Sequence, residues 1–256
     1  SSDLLTSAGG PILLWADSDN ANYGGILTAA ASTITSNGGA VTLSGGVDVT
    51  TGYAKATNLI TSTNNTAYSG IRMLGKIVSG AGKVVIRGQD NPTIGSTSHN
   101  SGIEIEKTAA ITTTSGDVEI DGATSNASTG TGNHFGVLIG WGGTAVTGTN
   151  AITTGSGNIT IKGDASTLNT NKSHGVSFFV TAVTSTSGVI TIDGRGAALS
   201  PADIDWNGAD VSSTSGAVLA KTGTTSGFLN FTNANSRLAS NTSVTLQANK
   251  LATTRS

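Results

Sequence analysis

An all-β parallel β-helix, a solenoid with variable loop insertions, is the fold class this chain predicts, and three observations carry it. A frame of residues recurs along the whole chain. Inside each copy an aliphatic pair alternates with a small or polar residue. Nothing resembles the ten-residue or longer 3.6-period segments that helical repeats need; threonine, valine, isoleucine, serine and glycine dominate, which favours strands and turns.

The clearest copy of the frame is ITTTSGDVEIDG, from Ile111 to Gly122: an aliphatic residue, glycine five positions on, aliphatics at seven and nine, glycine at eleven. It recurs at Ile34, Ile77, Ile152 and Val183, and at Leu5 and Val211 with the closing glycine replaced. The internal glycine is kept in all of these, at Gly10, Gly39, Gly82, Gly116, Gly157, Gly188 and Gly216. Pairs such as Val118 with Ile120 put two apolar side chains on one face of a strand and the residue between them on the other. The glycine before each pair marks a tight bend, expected to need φ values that a Cβ resists. A second strand signal, also opened by glycine, lies upstream of most anchors: Gly25-Ile26-Leu27, Gly70-Ile71, Gly102-Ile103, Gly136-Val137 and Gly175-Val176.

Successive anchors lie 29, 43, 34, 41, 31 and 28 residues apart, so corner and strand are constant while the connection varies. Self-similarity of this length signals units that bury their apolar face only by stacking on neighbours. Two strands and a variable arc per unit make one turn of a coil, and seven or eight rungs about 4.8 Å apart give a rod on the order of 35 Å long. Val118, Ile159 and Ile190 should then lie directly over one another.

The repeat runs from end to end without a linker, and a solenoid grows without needing a second core, so residues 1–256 are expected to form a single β-helical repeat domain. Hydrophobic residues make up 36% and aromatics 4%, which suits a thin core of Val, Ile, Leu and Ala stacks. The strict aliphatic frame argues against disorder despite the glycine and serine content. With 11% charged residues and a net charge of -2, the chain offers no basic footprint for nucleic acid and no polybasic membrane patch. The lack of cysteine excludes a disulfide scaffold and a thiol nucleophile, and no apolar run is long enough to insert into a membrane as a helix. A start at Ser1-Ser2-Asp3 without methionine suggests a mature segment of a longer chain, or a fibre subunit.

In chain order, the first strand leads into a turn where Asp17, Asp19 and Asn22 offer oxygen ligands for calcium, although such residues also make turns unaided. Residues 46 to 69 form the longest insertion, expected to pack over a face or to protrude as a hairpin. The succession ILLWADSDNANYGGI, ITSNGGAVTLSGG, TGYAKA and SGIRMLGKIVSGAGKVVIRGQ resembles the repeats of filamentous-haemagglutinin-like surface proteins, the β-strand-repeat, two-partner-secretion type of Gram-negative bacteria. That resemblance covers most of the chain, and it implies a right-handed coil, exported and displayed at the cell surface as stalk or adhesin. The Asn-Pro-Asn type motif of that family's secretion domain is missing, since Asn91-Pro92 continues as Thr93-Ile94, so a repeat region is implied and not a secretion signal.

His99, His134 and His174 precede the upstream glycines by three, two and one residues; lacking a shared register, they read as solvent-facing turn residues and not as a metal column. Asp203, Asp205 and Asn207 before Gly208 match the first half of a calcium loop, but Thr214 stands where a bidentate glutamate is needed. Beyond residue 220 the frame degrades, leaving Phe228, Phe231, Leu238, Val244 and Leu246 as core candidates.

The leading functional expectation is a structural, non-enzymatic segment of a bacterial cell-surface stalk, filament or adhesin. It would associate end to end with copies of itself or with neighbouring repeats of its own chain, because a solenoid exposes unpaired backbone at both ends. The alternative is a carbohydrate-binding or carbohydrate-active β-helix meeting a host or matrix glycan. Lyase or hydrolase chemistry needs convergent carboxylates, and only Asp117, Glu119, Asp121, Glu104 and Glu106 approach a cluster. No catalytic residue and no bound cofactor other than calcium is expected.

Overall fold

The computed structural model describes residues 4–19, 24–56, 67–90, 99–125, 132–141, 150–167, 173–198, 202–223 and 227–253. Every element among them is a strand, and every pairing between strands is parallel except a single antiparallel bridge between Gly24 and Lys55. The strands form three sheets, and the chain visits the first, second and third in turn, eight times over. This is a parallel β-helix of eight coils. Val118 pairs with Ile159 and Ile159 with Ile190, so the aliphatic pairs of the frame do lie over one another, coil after coil. Ile86, Ile120, Ile161 and Ile192, the second members of the pairs, form the neighbouring stack and are fully buried. Each such side chain contributes about 1.5–3 kcal/mol by leaving water.

The sequence predicts two strands per coil; the chain makes three. The added strand begins around the leading aliphatic of the frame, as in Ala110–Thr113, and stacks Ile34, Ile77, Ile111, Ile152, Val183 and Val211 as the first sheet. At three to five residues these strands are too short to show an alternation of their own. An eighth coil is also present, in Arg237–Ser240, Val244–Gln247 and Lys250–Thr253. Leu238 aligns with Val211 and Val244 with Val218, so the corner has lost one residue and its glycine, which hid the frame. Leu229, and not Phe228, faces the core here; Phe228 is half-buried beneath Lys250, whose Nζ lies 5.3 Å from the ring centroid.

The corner glycines are required for a different reason from the one expected. None of the seven has a positive φ. A Cβ on Gly82 would meet the Gly39 carbonyl oxygen at 1.8 Å, one on Gly116 the Gly82 oxygen at 1.9 Å, one on Gly157 the Gly116 oxygen at 2.0 Å, and one on Gly188 the Gly157 oxygen at 1.9 Å. The glycines stack on one another so closely that only a hydrogen fits between coils. Beside this column runs a ladder of hydroxyls, one per coil, two residues after each anchor. Ser36, Ser79, Thr113 and Thr154 donate to the carbonyl of their own corner glycine, at 2.5 to 2.7 Å. Ser185, Ser213 and Ser240 donate instead to the glycine one coil below, at 3.2, 2.8 and 2.6 Å, and Ser185 and Ser213 also accept their own corner glycine's N–H. Buried carbonyls at the bend are thereby satisfied, which is worth about 1 kcal/mol each.

A second glycine contact closes the opposite corner. A Cβ on Gly122 would strike the Gly136 oxygen at 2.1 Å, and one on Gly163 the Gly175 oxygen at 1.9 Å. In the middle coils the end of the second-sheet strand thus lies backbone to backbone against the start of the third-sheet strand, and the coil is pinched there. At this corner the chain inserts between two residues, in the last coil, and twenty-one, in the second, against three to five at the crossing from first to second sheet. Part of the longest insertion, Ala54–Lys55, extends the second sheet by pairing with Gly88 and Gln89; residues 57–66 lie outside the described residues.

In the third sheet the inward column changes character along the rod. Met73, Ile105 and Ile139 give way to Phe178, Trp206 and Phe231. The rings of the last three stack with centroids 5.4 and 5.1 Å apart and interplanar angles of 24° and 15°. Phe178 and Trp206 are completely buried.

Candidate functional site

The alternation that buries Val84 and Ile86 turns the residues between and after them outward, and one outward column of the second sheet is unlike the rest. Arg87, Asp121, Lys162, Asp193 and Lys221 occupy the same position in five successive coils and alternate in sign. Beside them Glu119 binds both Lys83, at 2.7 Å, and Arg87, at 2.9 Å, and the Lys83 hydrogen bond chiefly holds its carboxyl below the ordinary value. Lys221 Nζ lies 3.0 Å from Asp193 Oδ2, while Arg195 Nε stands 3.9 Å from Oδ1.

The insertion within the second coil, between Val41–Gly45 and Ala67–Met73, brings Tyr53 over this column. Burial pushes the Tyr53 phenol up to about 12, helped by the charge of Asp121 and by the hydrogen bond the phenol gives that carboxylate. Burial likewise raises the Asp121 carboxyl. The result is a cavity of about 370 Å³ lined by Tyr53, Gln89, Asp121, Lys162, Asp193 and Arg195 among others. Its signal in the sequence is the residue between the frame's last aliphatic and its closing glycine, which is charged in four consecutive copies.

The five acidic residues that approach a cluster in sequence do not form one. Glu119 and Asp121 project from the second sheet, Asp117 at the corner accepts the Asn158 N–H at 2.7 Å, and Glu104 and Glu106 belong to the third sheet. There Ser69 donates to Glu104 at 2.9 Å, His99 Nε2 lies 3.3 Å from it, and Arg72 donates to Glu106 at 2.7 Å. Burial works to raise the Glu104 carboxyl, but the His99 hydrogen bond and the charges of His99 and Arg72 outweigh it and leave it low.

The histidines are not solvent-facing. His99 and His134 are 3% and 0% exposed, and burial lowers the proton affinity of His174. They do keep separate registers, His134 opposite Asn100 and Ser173, and His174 opposite Phe135, on which its ring stacks at 5.5 Å.

The calcium candidates are also placed otherwise than their spacing suggests. Asp205 and Asn207 lie in a regular strand, Ile204–Asn207, and not in a ligand loop. Asp203, just before it, spends its carboxylate on two backbone amides, Gly196 N at 2.5 Å and Phe228 N at 2.7 Å. Asp205 and Asn207 face away from the core toward Asn230 and Asn233 of the next coil. Asp17, at φ 54°, is buried with Lys55 Nζ 3.8 Å away, Asp19 lies in an exposed turn, and Asn22 is outside the described residues. Among the described residues no three His, Asp or Glu side chains are grouped to hold a metal ion. Spacing alone does not distinguish an Asp-x-Asp-x-Asn turn from a strand with polar outward positions.

Burial raises the Asp205 carboxyl to about 6, against the hydrogen bonds from Asn230 and Thr232. Its folded value is above its unfolded one, so the stability it contributes is complete below about pH 4 and lost as the pH rises through about 6. Asp205→Asn should therefore be more stable than the parent at pH 7, by about 1–2 kcal/mol, and equal to it near pH 4. Urea denaturation at the two pH values checks this, and an unchanged difference between them would refute it.

No protein-family profile, curated protein or solved structure matches this chain.

Proposed function

We propose that this chain is a structural segment of a bacterial cell-surface filament or adhesin, of the filamentous-haemagglutinin-like kind, whose end coils pair with further coils. The supporting observation is the state of its two ends. Side chains that are sealed in mid-rod lie open at the last coil: Leu246 is 37% exposed, whereas Ile192, in the same inward column, is 0% exposed. At the first coil Leu5, which pairs with the buried Ile34, is 43% exposed and borders an open apolar hollow with Leu14 and Thr28. Three parallel strand edges accompany each open end. Such edges template further strands, and head-to-tail pairing of unlike ends generates filaments and not closed dimers. A scaffold with this build supports load along its axis and display at its side, as a stalk requires.

Sedimentation velocity over a range of concentrations tests the proposal. Elongated oligomers should form as concentration rises, and the double variant Val244→Lys with Leu246→Lys should remain monomeric while keeping its far-UV spectrum. A parent chain that stays a monodisperse monomer throughout would overturn it.

A further inference from the structure

We propose that the cavity beneath Tyr53 is a binding site for a neutral, hydroxyl-rich ligand, a sugar or short oligosaccharide. The inference stands apart from end-to-end association, since the cavity lies on the flank of the rod and uses neither terminal coil.

The site is built by the fold. Asp121, Lys162 and Asp193 reach it from three adjacent coils, with Cα atoms held in strict register by the second sheet, so donor and acceptor groups recur about every 4.8 Å along the axis. Tyr53 arrives from a separate segment, and its half-buried ring supplies an apolar wall with a polar tip. Asp193 is 8% exposed. Its Oδ2 is taken by Lys221, while its buried Oδ1, with Arg195 Nε 3.9 Å away, accepts no hydrogen bond among the described residues. A buried carboxylate oxygen without a donor is costly, and a ligand hydroxyl would satisfy it.

The charges narrow the ligand's chemistry. Three carboxylates line the cavity, Asp121, Asp164 and Asp193, against two cations, Lys162 and Arg195. An anionic ligand would meet the carboxylates without enough positive charge to offset them. A divalent cation finds no grouped ligand set among the described residues and would face Lys162 between the two aspartates. Hydroxyl groups, which both donate and accept, pair with carboxylate, ammonium, guanidinium, amide and phenol alike. At about 370 Å³ the cavity is within the range of small-molecule sites.

The test is backbone amide shift mapping of the whole chain, titrated with cellotriose, xylotriose, mannotriose and N-acetylchitotriose, and separately with oligogalacturonate and with calcium chloride. At least one neutral trisaccharide should bind with a Kd of about 1 mM or tighter and move the amides of Gly163, Asp164 and Asp193. Lys162→Ala, a change at an exposed side chain, should weaken that binding about tenfold without altering the melting temperature; Asp193→Asn should do the same if it folds. No shift with any neutral sugar would overturn the proposal. So would shifts confined to other coils, a response to oligogalacturonate or calcium alone, or an affinity indifferent to Lys162→Ala.

Discussion

Alanine at Gly157 is expected to cost more than about 4 kcal/mol, a large share of the stability of an ordinary domain. The added Cβ would sit 2.0 Å from the Gly116 carbonyl oxygen and 2.5 Å from its carbonyl carbon, both backbone atoms that cannot rotate away. Relief requires parting two coils at the corner where the hydroxyl of Thr154 and the stacked amides are satisfied. The comparison that isolates this cause is Gly38→Ala. Gly38 has a φ of +105° but nothing within 4 Å of its Cβ position, so it suffers backbone strain alone, about 1–2 kcal/mol. Urea melts of the two variants should differ accordingly, and a Gly157→Ala protein that unfolds with the parent would show that the coils are not in contact at their corners.

Trp206→Ala should be nearly as severe, about 3–5 kcal/mol. It removes the middle ring of the Phe178–Trp206–Phe231 stack from a site with no solvent access, and the rings on either side are held by backbone pairing that cannot close the gap. A solenoid distributes such damage locally, because each coil contacts only its neighbours. Hydrogen exchange should therefore show the two coils beyond Trp206 losing protection while Val84–Gln89 and Val118–Ala123 keep theirs. Loss of protection spread evenly along the rod would contradict a one-dimensional stack.

Much of this architecture is legible in the sequence because it rests on a period of two and a repeated spacing. The second sheet and its core pairs follow directly from Val118, Ile120 and their equivalents. What stayed hidden was set by contacts between coils, which no single repeat displays. The glycine at each corner reads as a turn residue, yet what excludes a side chain is the glycine of the preceding coil. The serine or threonine three residues before it reads as an ordinary β-branched or turn residue, yet it is a buried donor. The first sheet was concealed by brevity and the last coil by a one-residue deletion at its corner. The candidate site had a visible trace in the charged residues before the closing glycines, but their alternation becomes meaningful only when the coils are aligned, and Tyr53 comes from an insertion more than twice as long as that of any other coil.

The pinched corner has a consequence for how such a rod can diversify. Two of its three edges are locked, one by glycines without clearance and the other, in most coils, by connections of five residues or fewer. Novelty is thereby channelled into a single longitudinal stripe, where passages of very different length leave and rejoin the coil without disturbing its pitch. Cargo written into that stripe is carried at regular intervals down one flank, and the same mechanics that make the interior monotonous leave this margin free to be rewritten.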